Sequence, residues 1–223
     1  MKILVTGSAR GIGKRVCEKY LEMGHNVYGI DMLEKSIEHE NYTHFTLDIK
    51  NTATLPEIND FEVIFNNAGL QNCEDDIANN LSAVMALTEK YIKNNTALKT
   101  VLFNASASAT SGQEYPGYVA SKAGLLGYMR NLAIRLAKRG VTVNALSLGG
   151  VLTESNVLVM NDEQCWKKIM QVTPLKKWMT VDEAAEWVIF LTLINKSMSG
   201  QNILVDNGEK DLNPTFVWPD YEL

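Results

Sequence analysis

The stretch from Lys2 to Gly13 restricts the possible folds more than any other. Lys2-Ile3-Leu4-Val5 is a short apolar run of strand character that passes at once into Thr6-Gly7-Ser8-Ala9-Arg10-Gly11-Ile12-Gly13. Ile12, Val16, Tyr20 and Met23 then fall on one helical stripe. Strand, glycine-rich turn and helix, in that order, place an anion at a helix N-terminus, where free N–H groups and the dipole favour negative charge. The glycines let backbone approach a phosphate and let the helix pack closely on the strand. The spacing is Gly-x-x-x-Gly-x-Gly, not the Gly-x-Gly-x-x-Gly of the general fingerprint, so a turn that holds no ligand stays open as the competing reading.

The rest of the chain alternates strand and helix. His25 to Ile30 reads as a second strand ending at Asp31, an acid about 20 positions past the glycines and placed to accept from an adenosine ribose. Phe45-Thr46-Leu47 is a third strand ending at Asp48, and Phe61 to Phe65 a fourth running into Asn66-Asn67-Ala68-Gly69. Their connection is short and carries Pro56, so any crossover helix there is brief. Asp76 to Asn94 has helical spacing, and Val101-Leu102-Phe103 is a buried strand that empties into Asn104-Ala105-Ser106-Ala107-Ser108. A helix through Leu125, Met129, Leu132 and Leu136 stops at Gly140, and Val141 to Leu146 is the sixth strand. Gly149 to Lys177 reads as looser chain, Asp182 as the cap of a helix to Ile194, and Ile203-Leu204-Val205 as a seventh strand. The pattern predicts an α/β fold: a single-domain, Rossmann-type, doubly wound parallel sheet of about seven strands over residues 1–208. A tail, 209–223, is expected to pack on the domain or on a neighbouring subunit.

Composition narrows the function classes. The 223 residues carry a net charge of −5 with no Lys/Arg run, which speaks against nucleic acid and anionic membranes as partners. No apolar stretch approaches membrane-spanning length, and the N-terminal apolar run is too short for a signal peptide. Cys17, Cys73 and Cys165 are odd in number and lack metal-like spacing, so the expectation is a cytoplasmic protein with reduced thiols and no metal.

Tyr118-Val119-Ala120-Ser121-Lys122 carries the chemistry. Tyr118 and Lys122 lie on one face of a helix, and an ammonium beside a phenol favours the phenolate and lowers its pKa. A tyrosine tuned in this way exchanges a proton with an alcohol or ketone near neutral pH.

Thr6-Gly7-x-x-x-Gly11-x-Gly13, Asn66-Asn67-Ala68-Gly69, a serine after the fifth strand and Tyr118-x-x-x-Lys122 together resemble the short-chain dehydrogenase/reductase family, from Met1 to about Gly208. The resemblance implies an NAD(P)-dependent oxidoreductase that interconverts a secondary alcohol and a ketone. Tyr118 is then the general acid/base, and Lys122 lowers its pKa and holds the nicotinamide ribose. Ser106 polarises the substrate oxygen, with Ser108 as a nearby rival because the family spacing is usually one residue longer. Asn80 matches the asparagine that holds a water in the proton relay. For the cofactor it implies Gly7, Ser8, Arg10, Gly11, Ile12 and Gly13 at the phosphates, Asp31 at the ribose and Asp48 and Ile49 at the adenine. Asn67, Ala68 and Gly69 would lie over the cofactor beside Tyr118 and Lys122, and Thr153 would touch the carboxamide.

This sequence also departs from the family pattern. Leu148-Gly149 stands where the family has Pro-Gly, and the 69–80 segment and the third-to-fourth strand connection are short. Residues 174–208 resemble members such as 3-oxoacyl-carrier-protein reductases without fixing the substrate. A nucleotide-binding sensor of the same fold is the alternative. Asp31 predicts NAD over NADP, with Arg10 as the counter-signal. Gly124, Gly127 and Tyr128, with Val84 and Leu87, predict an outward apolar face and a homo-oligomer, tetramer over dimer.

Overall fold

The computed structural model describes residues 1–212. Seven parallel strands form one sheet in the order β3-β2-β1-β4-β5-β6-β7. They are β1 (Lys2–Thr6), β2 (Asn26–Asp31), β3 (Tyr42–Thr46), β4 (Val63–Asn66), β5 (Thr100–Asn104), β6 (Thr142–Leu148) and β7 (Asn202–Val205). The helices are α1 (Gly11–Glu22), α2 (Ala83–Ile92), α3 (Ser108–Ser111), α4 (Pro116–Leu136), α5 (Val157–Asn161), α6 (Glu163–Val172) and α7 (Val181–Ile189). The strand order reverses between β1 and β4, and the carboxyl ends of the strands at that switch point form the crevice where α/β sheets bind ligands.

Successive strand residues face opposite layers, so the apolar strands feed two cores. Leu4, Ile64, Val101, Phe103 and Val143 pack under α2 and α4, while Ile3, Val5, Val63, Phe65 and Leu102 pack under α1 and α7. The β3 edge is covered differently. Neither the 32–41 connection nor the 47–62 connection contains a helix. Ile37 closes one face against Val27 and Tyr42, and Ile49, Leu55 and Phe61 close the other against Leu4 and Ile30.

Several expectations are corrected. The third strand starts at Tyr42, because an edge strand needs little apolar character and Tyr42-Thr43-His44 conceals it. The segment 149–177 is not loose: it holds α5 and α6, and Asp162 caps α6 by accepting from the amides of Gln164 and Cys165, both at 3.0 Å. None of the residues of α6 is buried, so its apolar signal is weak. The cap of α7 is Thr180, not Asp182, in a reciprocal box with Glu183. Asp182 instead pairs with Arg15 (2.8 Å) and Lys19 (3.1 Å) of α1. Leucine in place of proline lets β6 run on to Leu148, which pairs with Val205.

The expected outward face of α4 is largely inward. Val84, Leu87 and Tyr128 are buried, and a Cβ at Gly124 would lie 2.7 Å from Leu81 Cδ2. Of that set only Gly127 opens to solvent. Of the tail, Glu209 and Lys210 pack on the domain; residues 213–223 lie outside the described part of the chain.

Candidate active site

The glycine turn is held against the end of β4. Gly7 has φ +68°, and a Cβ there would sit 2.9 Å from Ala68 Cα; one on Gly13 would run into the Gly7 carbonyl. Thr6 Oγ1 accepts from the amides of Asn67 and Ala68, each at 3.0 Å, while Asn67 Nδ2 donates back to Thr6 O (3.1 Å) and Gly7 O (3.0 Å). Asp31 closes the other flank: Oδ2 accepts from Ala9 N and Oδ1 from Leu33 N, both at 2.9 Å.

Gly11 begins α1 with Arg10 ahead of it, and the first turn holds no acid that would compete with a bound anion. A Cβ on Gly11 would lie 3.4 Å from Thr153 Cγ2, so Thr153 stands over the turn. The Ser8 hydroxyl points beneath the turn, accepting from Tyr42 Oη at 3.1 Å, which leaves only its backbone to face a ligand. Ile12 and Ile49 pack into the cores, and Asp48 stays half-buried with Oδ1 accepting from Lys50 N at 2.9 Å. The Arg10 side chain is exposed and makes no ion pair among the described residues. A tight glycine approach, free amides at a helix start and a fixed carboxylate fit a dinucleotide.

The second half of the crevice gathers around β5. Lys122, only 4% exposed, donates from Nζ to Asn104 O at 2.9 Å and lies 5.6 Å from the centre of the Tyr118 ring. Asn80 is fully buried in a π-helical turn ahead of α2, where it accepts from Leu70 N (2.8 Å) and donates to Leu70 O (2.7 Å). Gly69 sits between the two: a Cβ there would be 3.1 Å from Asn80 Oδ1 and 3.2 Å from Lys122 Nζ. Ser106 Oγ accepts from Ser108 Oγ at 2.9 Å and Ser108 N at 3.2 Å, and it stands close enough to the Tyr118 hydroxyl to ease the ionisation of the phenol. Ser108 thus stands behind Ser106.

The electrostatics run against expectation. Burial pushes Tyr118 up to about 12, with the Ser106 hydroxyl opposing the rise and the charges of Glu114 and Asp76 adding to it. Burial also draws Lys122 down to about 8. The sequence predicts a Tyr118 pKa lowered by Lys122. In the structure the ammonium lies over the ring, 5.6 Å from its centre, while burial and two carboxylates act on the phenol.

Three residues of this region escape sequence reasoning. Asn104 could have been noticed as a second asparagine at a strand end near a catalytic serine. Asp76 and Glu114 leave no local signal; Asp76 reaches the site because Gly117 has no side chain, and a Cβ there would be 2.9 Å from Asp76 Oδ2.

A family model described as enoyl-(acyl carrier protein) reductase matches residues 40–210. The chain belongs to the short-chain dehydrogenase/reductase family. It is 28% identical to the 3-oxoacyl-[acyl-carrier-protein] reductase of Buchnera aphidicola subsp. Acyrthosiphon pisum, over 92% of this chain and 95% of that one. It is 25% identical to the 2-dehydro-3-deoxy-D-gluconate 5-dehydrogenase of Escherichia coli, over 92% and 93%. Among solved structures, a short-chain dehydrogenase family protein from Francisella tularensis superposes with TM-score 0.81 at 28% identity, covering 93% of this chain and 98% of that one. A 4-hydroxyisoleucine dehydrogenase mutant complexed with NADH and succinate superposes with TM-score 0.86 over 96% and 100%; at 20% identity it speaks for the fold alone. The chain is an NAD(P)-dependent oxidoreductase interconverting an alcohol and a ketone, and nothing in these likenesses favours the sensor reading.

Proposed function

We propose that this enzyme acts on a small-molecule secondary alcohol or ketone with Tyr118 as its general acid/base. The observation that carries the reading is the convergence of Ser106, Tyr118 and Lys122 at the end of β5, across the crevice from the glycine turn. The nicotinamide supplies or accepts the hydride. Tyr118 hands its proton to the carbonyl oxygen, Ser106 donates a hydrogen bond to the charge developing there, and Lys122 with Asn80 keeps the proton path polar behind the phenol. A phenol held protonated is the state that reduction uses. Tyr118→Phe should cost roughly 10²–10⁴-fold in kcat while the coenzyme Kd stays within about twofold, since only the proton donor is lost. Retention of more than a few per cent of activity would overturn the assignment.

The remaining assignments belong to the same reading. Gly7, Gly11, Gly13, Arg10 and Thr153 flank the pyrophosphate and nicotinamide side, and Asp31, anchored to Ala9, favours NAD over NADP. Residues 1–208 form the catalytic unit. The enzyme works in the cytoplasm, supported by three unpaired cysteines and by the lack of a described helix long and apolar enough to cross a membrane. It assembles as a homo-oligomer, tetramer over dimer. The support is now the true outer face of α4, where Ala120, Ala123, Gly127 and Ile134 are exposed, Ile134 by 78%. A monomeric mass by light scattering at micromolar concentration would refute assembly.

A further inference from the structure

Asn104 closes β5 near the centre of the sheet, and its neighbours fix the way its amide lies. Asn67 commits Nδ2 to Thr6 O (3.1 Å) and Gly7 O (3.0 Å), which leaves Oδ1 as the atom it turns toward Asn104. Asn104 Nδ2 therefore donates to Asn67 Oδ1, at 2.9 Å. Its main-chain oxygen accepts Lys122 Nζ, also at 2.9 Å. One residue thus ties the asparagine of the glycine-turn half to the lysine of the catalytic half.

The remaining atom is the anomaly. Asn104 Oδ1 is buried and has no donor among the described residues. Turning the amide over would set two carbonyl oxygens against each other, so a flip offers no relief. Buried polar groups are ordinarily paired, and an unpaired acceptor costs stability unless a partner arrives. Asn66 Nδ2 and Asn207 Nδ2 are also unpaired, but neither residue joins Asn67 to Lys122.

We propose that Asn104 is a positioning residue completed by the coenzyme: Oδ1 accepts a hydrogen bond from an O–H or N–H group of the nicotinamide half. The chemistry narrows the donor. Phosphates and the nicotinamide ring present no donor at neutral pH, so a ribose hydroxyl or the carboxamide N–H is required. The adenosine half is assigned to the opposite flank, at Asp31. This rests on the coenzyme orientation proposed above, in which Lys122 holds the nicotinamide ribose.

Titration of NADH by protein fluorescence tests it. Asn104→Ala should raise the Kd about tenfold, the loss of roughly one hydrogen bond, and should change the Tm of the coenzyme-free protein little, because the unpaired Oδ1 goes while Asn67 Oδ1 loses its donor. Asn104→Asp keeps acceptor oxygens but, like alanine, loses the donor to Asn67, so it should recover much of the affinity. A Kd within twofold of the parent for Asn104→Ala, or an Asn104→Asp variant that binds no better than alanine, overturns the proposal. If alanine does not fold, the aspartate variant decides alone: a tenfold loss there refutes the role of Oδ1. Tyr118→Phe is expected to bind coenzyme normally, so its failure would strike the acid/base assignment and leave Asn104 untouched.

Discussion

The two halves of the crevice are built on opposite principles. On the β2–β3 side the chain has dispensed with both crossover helices, and loop residues Ile37, Ile49, Leu55 and Phe61 fill in for them. Its carboxylate at the turn, Asp31, is satisfied at both oxygens by backbone amides. The β4–β5 side keeps two long helices, and there the unfavourable features collect: a buried lysine, a phenol pushed to about 12, and unpaired side-chain atoms on Asn66 and Asn104. Covering a sheet face is a task any apolar residues perform, so it tolerates deletion. Holding polar groups in a dry site demands rigid elements on both sides, so those elements stay.

The larger expected effect tests the strained half. Lys122 is drawn from 10.5 to about 8 by burial. A folded-state pKa below the unfolded one means that the unfolded chain binds more protons between those values, so stability rises with pH across that window. The penalty is fully present below about pH 8 and gone above about pH 10.5. Lys122→Met, which keeps the length and removes the charge, should therefore stabilise the fold by roughly 1–3 kcal/mol at pH 7, after allowing for the lost bond to Asn104 O. The gain should fall as pH rises from about 8 to 10.5 and give way to a small loss above that, where only the missing bond to Asn104 O remains, while turnover is lost throughout. Urea denaturation at a series of pH values would show it; a variant less stable than the parent at pH 7, or a difference independent of pH, would mean that the lysine is not strained.

The same division explains what was legible beforehand. The alternation of strands and helices, the glycine turn and the Tyr118–Lys122 helix could be read because each depends on local pattern: apolar runs, glycines without side chains, a four-residue spacing. Thr180-x-x-Glu183 is a capping box and so a local signal, but Asp182, two residues on, is also of a capping type and masks it. The direction of the Tyr118 shift was not legible. It depends on Asp76 and Glu114, which are distant or oddly turned in the chain, Glu114 having φ +86°. The orientation of α4 failed for a related reason. Both its faces carry small and apolar residues, so periodicity alone could not say that Gly124 meets Leu81 while Gly127 meets water.

The smaller effect concerns the trimmed half and the choice of coenzyme. Asp31 ends β2, and its two backbone hydrogen bonds hold the carboxylate against the glycine turn at Ala9. A carboxylate so fixed cannot swing away from a phosphate on the adenosine ribose. Two like charges about 4 Å apart cost roughly 1–4 kcal/mol at the effective dielectrics of a protein surface, which corresponds to about a tenfold to several-hundredfold preference for NAD. Two cations flank this region: Lys35 is paired with Glu38 at 2.7 Å, and the Arg10 side chain is exposed to solvent, as are Met32 and Leu33 just after Asp31. The kcat/KM for NADH should therefore exceed that for NADPH, and Asp31→Ala should narrow the ratio chiefly by improving NADPH. Because alanine also abandons two amides, its Tm should fall modestly. That fall separates lost turn geometry, which would weaken both coenzymes alike, from lost repulsion, which favours one. Equal values for the parent, or a preference for NADPH, would remove Asp31 from the ribose and assign the discrimination to Arg10.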